Sequence, residues 1–288
     1  MGCEVRQMNN NPFQFNKPVI GDNFYGRDEI IKSMLEGDLP FCWVRGSRRS
    51  GKTSLLRQIE SLCKNDDSYS KRYIPAYLNF EGVSDENGLT NRFIETFHPM
   101  KKMLGLKQIE DMKFVDILYE VQRCALKLDR KILFLCDETS SLLNSPHKEK
   151  ILSYLINNLR SKLFSVVFAD IGLLHDVKKI ESVEKSALEE LIPPKFILSP
   201  LEPETSLKLV QKNSNNPVYN EAVNKFKDRI MEHTNNIPFF LQLVCSTLYG
   251  MENINDFDEV LEKAYQNFGA DVILGNDLHG LQTIEQKV

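Results

Sequence analysis

The sequence predicts an α/β fold: a three-layer domain around a mainly parallel sheet, followed by a region of helices only. Three observations predict it. Runs apolar on both faces, such as K-I-L-F-L-C (131–136), alternate with stretches carrying apolar residues at helical spacing. Such runs suit parallel strands covered by helices on both sides. One run leads into R-G-S-R-R-S-G-K-T-S (45–54), and beyond Pro200 strand-like runs stop.

The elements follow in order. The first 25 residues are broken by Pro and Gly and read as irregular. A short helix is expected over 28–35, with Ile30, Ile31, Met34 and Leu35 on one side. L-P-F-C-W-V (39–44) reads as the first strand, and Leu55, Leu56, Ile59 and Leu62 mark the helix after it. A second strand is expected over 73–80, then helices near 89–98 and 113–128. The second of these has an apolar stripe of Phe114, Leu118, Val121, Ala125 and Leu128. The run 131–138 is the third strand and ends in Asp137-Glu138. Ile151, Leu152, Leu155, Ile156 and Leu159 predict a helix near 147–162, and 164–169 and 196–198 read as further strands. From 202 to about 268 only helices are expected, broken at 213–217, 235–238 and 250–255. The expected organisation is an α/β domain over 1–200 and a helical domain with a short tail over 201–288.

Composition narrows the class. With 288 residues, 42% hydrophobic and 26% charged, the chain reads as soluble and globular. A net charge of −4 offers no basic balance for nucleic acid or an anionic membrane. Apolar runs are too short to span a bilayer. The start M-G-C-E-V-R lacks a signal peptide's apolar core, and Arg6 stands where myristoylation needs Ser or Thr. Cysteines at 3, 42, 63, 124, 136 and 245 form no C-x-x-C pair, which predicts buried, reduced thiols in a cytoplasmic protein. The histidines, His147 and His175 among them, show no metal-ligand spacing.

The chemistry concentrates in Gly46-x-x-x-x-Gly51-Lys52-Thr53, a phosphate-binding pattern between a strand and a helix. The bare pattern arises by chance in roughly one chain in a hundred of this length, and the strand–helix context cuts that further. This context predicts a P-loop NTPase domain. The glycines let the chain fold back so that successive N–H groups meet phosphate oxygens at the positive end of the helix. Gly46, Arg49, Ser50, Gly51, Lys52, Thr53 and Ser54 form the candidate cradle. Lys52 would reach the β and γ phosphates, and the Thr53 hydroxyl would bind Mg²⁺.

Asp137-Glu138 closes an apolar strand whose end should face this loop, on what reads as an adjacent strand. Asp137 would hold Mg²⁺ directly or through water. Glu138 would activate the attacking water as a general base. The bland alternative is a strand ending in a solvated turn. Guanine-reading N-K-x-D is absent: N-K-P-V (16–19) and N-K-F-K (224–227) lack the Asp, so adenine is favoured. D-E-N-G (85–88) matches the short D-x-x-G pattern, as many loops would.

G-S-R-R-S-G-K-T-S-L-L-R-Q-I (46–59) resembles the AAA+-like archaeal and bacterial ATPases that border on the STAND class. N-P-F (11–13), P-V-I (18–20) and F-Y-G-R-D-E (24–29) resemble the family's N-terminal segment, and T-N-N-I-P-F-F-L-Q-L-V-C (234–245) its lid motif. The resemblance implies an ATP-dependent switch with nucleotide between the α/β domain and the helical lid. Tyr25, Gly26 and Arg27 would border the adenine and Pro238 would cap it, though Pro238 also fits an ordinary helix start. Arg48 and Arg49 would face phosphate or pair with acidic residues, and one of them reads equally as a surface cation.

The departures are specific. Asn236 replaces the lid glycine, and Asn tolerates positive φ. Asp170 follows the strand where the family places a small polar γ-phosphate sensor. A carboxylate about 5 Å from a phosphate charge would cost ~3 kcal/mol at an effective dielectric of about 20. No arginine lies between Arg160 and Arg229, so the trans-acting arginine finger is missing. Between the fourth and fifth strands Lys178, Lys179, Lys185 or Lys195 could substitute, without the planar fork of Arg. The stretch after Phe268 does not read as the winged helix that family members often carry.

Three functions stay open: a slow Mg²⁺-dependent ATPase switch, a non-hydrolysing nucleotide-binding module, and an ATPase acting with DNA. A protein partner and self-association are compatible with each.

Overall fold

The computed structural model describes residues 11–37, 39–139, 141, 163–170, 195–212 and 214–268. The helix expected near 147–162, Cys3 and Lys178, Lys179 and Lys185 lie outside them. The described residues divide into two compact units. One draws on 27–46 and 52–198, the other on the N-terminal stretch up to Gly26, Ser47–Gly51 and the chain from Ser199.

The first unit is built on five strands: β1 (Phe41–Arg45), β2 (Tyr73–Asn79), β3 (Lys131–Asp137), β4 (Phe164–Asp170) and β5 (Lys195–Ile197). Their order is β2-β3-β4-β1-β5, and every pairing is parallel. All carboxyl ends therefore lie along one edge. The helices are α1 (Asp28–Glu36), α2 (Lys52–Asn65), α3 (Asp67–Ser70), α4 (Glu86–Phe97), α5 (Lys101–Leu104) and α6 (Phe114–Leu128).

Strand periodicity sorts the side chains between the two sheet faces. Ile132, Phe134 and Cys136 join Ile74, Ala76, Leu78, Val166 and Phe168 in a core with Phe93 and Phe97 of α4 and Val121 of α6. Phe134 is fully buried there, its ring centroid 5.2 Å from that of Phe164 and 6.1 Å from that of Phe97. Truncating such a ring to alanine costs about 3–5 kcal/mol.

Helix boundaries have local causes. Asp85 caps α4 by accepting the Gly88 N–H at 2.7 Å, so D-E-N-G is a helix start. Asp129, at φ 51°, ends α6 in the left-handed region. Leu128 of the expected stripe, the last residue of α6, is 40% exposed.

The second unit holds α7 (Pro203–Val210), α8 (Pro217–Thr234), α9 (Pro238–Tyr249) and α10 (Phe257–Phe268). α7, α8 and α9 each begin with proline, whose fixed φ and missing N–H suit the first turn. Tyr219, Phe226, Ile230, Leu241, Val244, Leu248 and Phe257 make its core. The N-terminal stretch is stitched to α9. Asn11 Nδ2 donates to the Ser246 carbonyl at 3.1 Å, and Gln14 N–H to Gln242 Oε1 at 3.0 Å. Phe13, 4% exposed, packs its ring 5.0 Å from Tyr219.

The thiols of Cys42, Cys63, Cys124, Cys136 and Cys245 are free and buried. No described helix is long and apolar enough to cross a membrane.

Candidate nucleotide site

β1 ends at Arg45 and α2 starts at Lys52, so six residues make the turn between them. Two of the six take left-handed backbone, Arg49 at φ 67° and Gly51 at φ 93°. The Ser50 N–H closes on the Ser47 carbonyl at 3.3 Å. Ser50 is 4% exposed, and its buried Oγ has no partner among the described residues. The first N–H groups of α2 lack intrahelical acceptors and carry the positive end of the helix dipole. Lys52 is only 8% exposed, and its Nζ donates to the Gly46 carbonyl at 3.0 Å. The ammonium is thereby folded back onto Gly46, the first residue after β1. Thr53 and Ser54, in the first turn, are partly exposed.

Arg48 is exposed. Arg49 lies with its guanidinium carbon 4.6 Å from the Phe239 ring centroid and 5.7 Å from that of Phe240. The planar cation thus lies against the first turn of α9.

Asp137 is the last residue of β3 and 2% exposed. Its Oδ2 accepts the Tyr77 hydroxyl at 2.8 Å, and its Oδ1 accepts the Glu138 N–H at 3.1 Å. Burial, with Asp137 next, pushes the Tyr77 phenol well above its ordinary value. Glu138 turns out of the strand at φ 50° and is exposed. Thr139 is buried and donates its hydroxyl to the Ala169 carbonyl at 3.2 Å, tying this turn to the end of β4. β4 intervenes between β1 and β3, so the two motifs are not on adjacent strands as the sequence suggested. Periodicity identifies strands but not their lateral order. Both motifs still follow carboxyl ends on the same sheet edge.

The fold recurs in known structures. A Walker-type ATPase of Pyrococcus abyssi is 18% identical, covering 96% of this chain and 81% of that one with a TM-score of 0.70. The Aeropyrum pernix ORC2 protein, solved as ADPNP–ADP complexes, is 13% identical, covering 88% and 70%, with a TM-score of 0.65. The Aeropyrum pernix ORC1 protein, solved in complex with DNA, is 13% identical over 85% of this chain and 66% of that one, at a TM-score of 0.57. No protein-family model and no curated protein matches the sequence. The fold is that of a P-loop NTPase.

Within this P-loop fold the other expected site residues are placed as follows. Tyr25 is partly buried against the helical core, and burial, then Asp22, raises its phenol pKa. Gly26 has φ 72°, and a Cβ there would come within 3.1 Å of Thr205 Cγ2. Arg27, at φ 71°, precedes α1, and its carbonyl accepts the Ile31 N–H at 3.0 Å. Pro238 is the first residue of α9, the helix-start role that its sequence context also fitted. Asn235 and Asn236 take φ values of 47° and 55°, so the turn before α9 is left-handed without glycine. Asp170 closes β4, and the register puts it beside Arg45. Lys195 opens β5 and is exposed.

Sequence reasoning missed Tyr77, Arg57 and Thr139. Arg57 of α2 lies with its guanidinium carbon 3.3 Å from the Tyr77 ring centroid. The available signal was the strand period: Tyr77 is opposite Leu135, two residues before Asp137 and on the same face.

Proposed function

We propose that this chain binds ATP with Mg²⁺ and hydrolyses it slowly. The observation that carries the reading is the buried Lys52 ammonium, held at the start of α2 over a loop with left-handed Arg49 and Gly51. Asp137-Glu138 follows a carboxyl end on the same sheet edge, where α/β folds bind ligands.

The donor set fits a hard cation. The Thr53 hydroxyl and the Asp137 carboxylate are oxygen ligands, and Mg²⁺ needs only one or two of these beside phosphates and water. Bound there, Mg²⁺ would neutralise charge on the phosphates. Loop N–H groups and the Lys52 ammonium would orient the phosphates, and Glu138 would take the proton of the attacking water. Adenine would meet Tyr25, Gly26, Arg27 and Pro238. The missing arginine finger and the carboxylate at the end of β4 favour a slow turnover, suited to a switch that acts on a protein partner in the cytoplasm.

The test measures ATP binding and phosphate release together. Glu138→Gln should bind ATP like the wild type and lose turnover; equal turnover in the two removes Glu138 from the base role. The second reading, a binding module without hydrolysis, is favoured by Asp170, which closes β4 where the resemblance expects a small polar sensor. It predicts ATP-dependent protection of 219–249 from hydrogen exchange with no phosphate release. Steady release abolished by Lys52→Ala would exclude it. ORC1's complex with DNA motivates a third reading, which requires duplex DNA to stimulate turnover.

A further inference from the structure

We infer that Tyr77 is a positioning residue for Asp137, and that Arg57 couples this carboxylate to the phosphate-loop helix. The inference rests on the ATP–Mg²⁺ reading above. Asp137 is a carboxylate at 2% exposure, and burying an ion is costly unless its lone pairs are used. Two donors reach it from the described residues. The Tyr77 hydroxyl takes Oδ2 at 2.8 Å, and the Glu138 N–H takes Oδ1 at 3.1 Å. A carboxylate has about four acceptor sites, so about one on each oxygen stays available. With both oxygens held, the plane of the carboxylate is set before any ligand arrives.

Tyr77 is itself held. It lies diagonally across the β2–β3 ladder from Asp137, within reach of an aromatic side chain but not of a shorter one. The Arg57 guanidinium covers its ring at 3.3 Å. Arg57 also donates to Glu60 at 2.7 Å, and Glu60 accepts from Lys64 at 2.7 Å, which restrains the guanidinium on its helix. Arg57 follows Lys52 by five residues, about 7.5 Å along the same helix. A shift of α2 on phosphate binding is thereby passed through Arg57 and the Tyr77 ring to the carboxylate expected to serve Mg²⁺. Outer partners of this kind tune metal affinity by orienting the ligand.

Tyr77→Phe keeps the ring and its Arg57 contact and removes only the hydroxyl. The experiment titrates a fluorescent ATP analogue into the full chain, first with a chelator and then over a range of Mg²⁺. Affinity without divalent cation should stay within about 2-fold of wild type, because the loop and Lys52 are untouched. The Mg²⁺ concentration for half-maximal tightening should rise about 10-fold or more. Arg57→Leu should raise it about 2- to 5-fold, the worth of one cation–π contact. In an Asp137→Asn background, Tyr77→Phe should add nothing. A purely structural hydroxyl would lower the unfolding temperature yet leave the Mg²⁺ dependence alone, and that result overturns the inference. Additive effects with Asp137→Asn overturn it as well. Failure of the wild type to bind the analogue overturns the ATP reading and this inference together. Normal binding with an unshifted Mg²⁺ dependence overturns this inference alone.

Discussion

Arg49 tests how the phosphate loop is held. The sequence offers this side chain a phosphate or a carboxylate as partner, and the structure sets its guanidinium carbon 4.6 and 5.7 Å from the ring centroids of Phe239 and Phe240. Cation–π contacts contribute about 0.5–1 kcal/mol when exposed and about 2 when desolvated. With Arg49 half-buried near both rings, about 1–2 kcal/mol is expected. The backbone works against this gain. At φ 67° a non-glycine residue carries left-handed strain of about 1–2 kcal/mol. Arg49→Ala loses the stacking and keeps the strain, so it should lower stability by about 1–2 kcal/mol. Arg49→Gly loses the stacking but relieves the strain. After glycine's extra backbone entropy of about 0.5–1 kcal/mol, it should still lie above Arg49→Ala by about 0.5 kcal/mol. Urea unfolding of wild type, both variants, Phe239→Leu and the Arg49→Ala/Phe239→Leu double variant measures each quantity. Arg49→Ala and Phe239→Leu should be coupled by about 1 kcal/mol. Additivity within about 0.3 kcal/mol would refute the stacking argument. An alanine variant at least as stable as the glycine variant would refute the strain argument.

Gly51→Ala meets no atom within 4 Å, so its cost is purely the backbone at φ 93°. It should lower the unfolding free energy by about 1–2 kcal/mol and weaken ATP binding in a titration, whereas wild-type values would discount the loop geometry. Asn236→Gly should be neutral or raise stability by about 1 kcal/mol in denaturant melts. It keeps the left-handed turn and removes a buried Oδ1 that has no partner among the described residues. Burial pushes the thiols of Cys42, Cys63 and Cys245 up to about 12 from an ordinary value near 9. Below pH ~9 folded and unfolded chains both keep these protons; above it only the unfolded chain loses them, so stability falls as pH rises toward about 12. Each thiol should contribute roughly 1.4 kcal/mol per pH unit, and a urea midpoint unchanged between about pH 8 and about pH 10.5 would count against this burial.

Much of the fold was legible because short-range physics writes it into the chain. β1 through β5 were visible as apolar runs, and α1, α2, α4 and α6 as helical periodicity, since burial on one or two faces demands those patterns. The attachment of the N-terminal stretch to α9 was not legible, because its anchors are single polar atoms. Asn11 and Gln14 bond residues more than 200 positions away, Ser246 and Gln242, and no local pattern announces such a contact.

The sequence by itself determined the strand–loop–helix around Gly46–Thr53, because Gly51 supplies its backbone and Lys52 its cation locally. It likewise determined that Asp137-Glu138 ends a buried strand. The tertiary structure decided the rest. Lateral order β2-β3-β4-β1-β5 put β4 between the two motifs. Packing of α2 on the sheet brought Arg57 over Tyr77, whose hydroxyl lies on Asp137. Within the other unit, the tertiary structure set Arg49 against Phe239 of α9. Period and propensity specify which face a residue presents, but the neighbour it meets depends on how distant segments pack together.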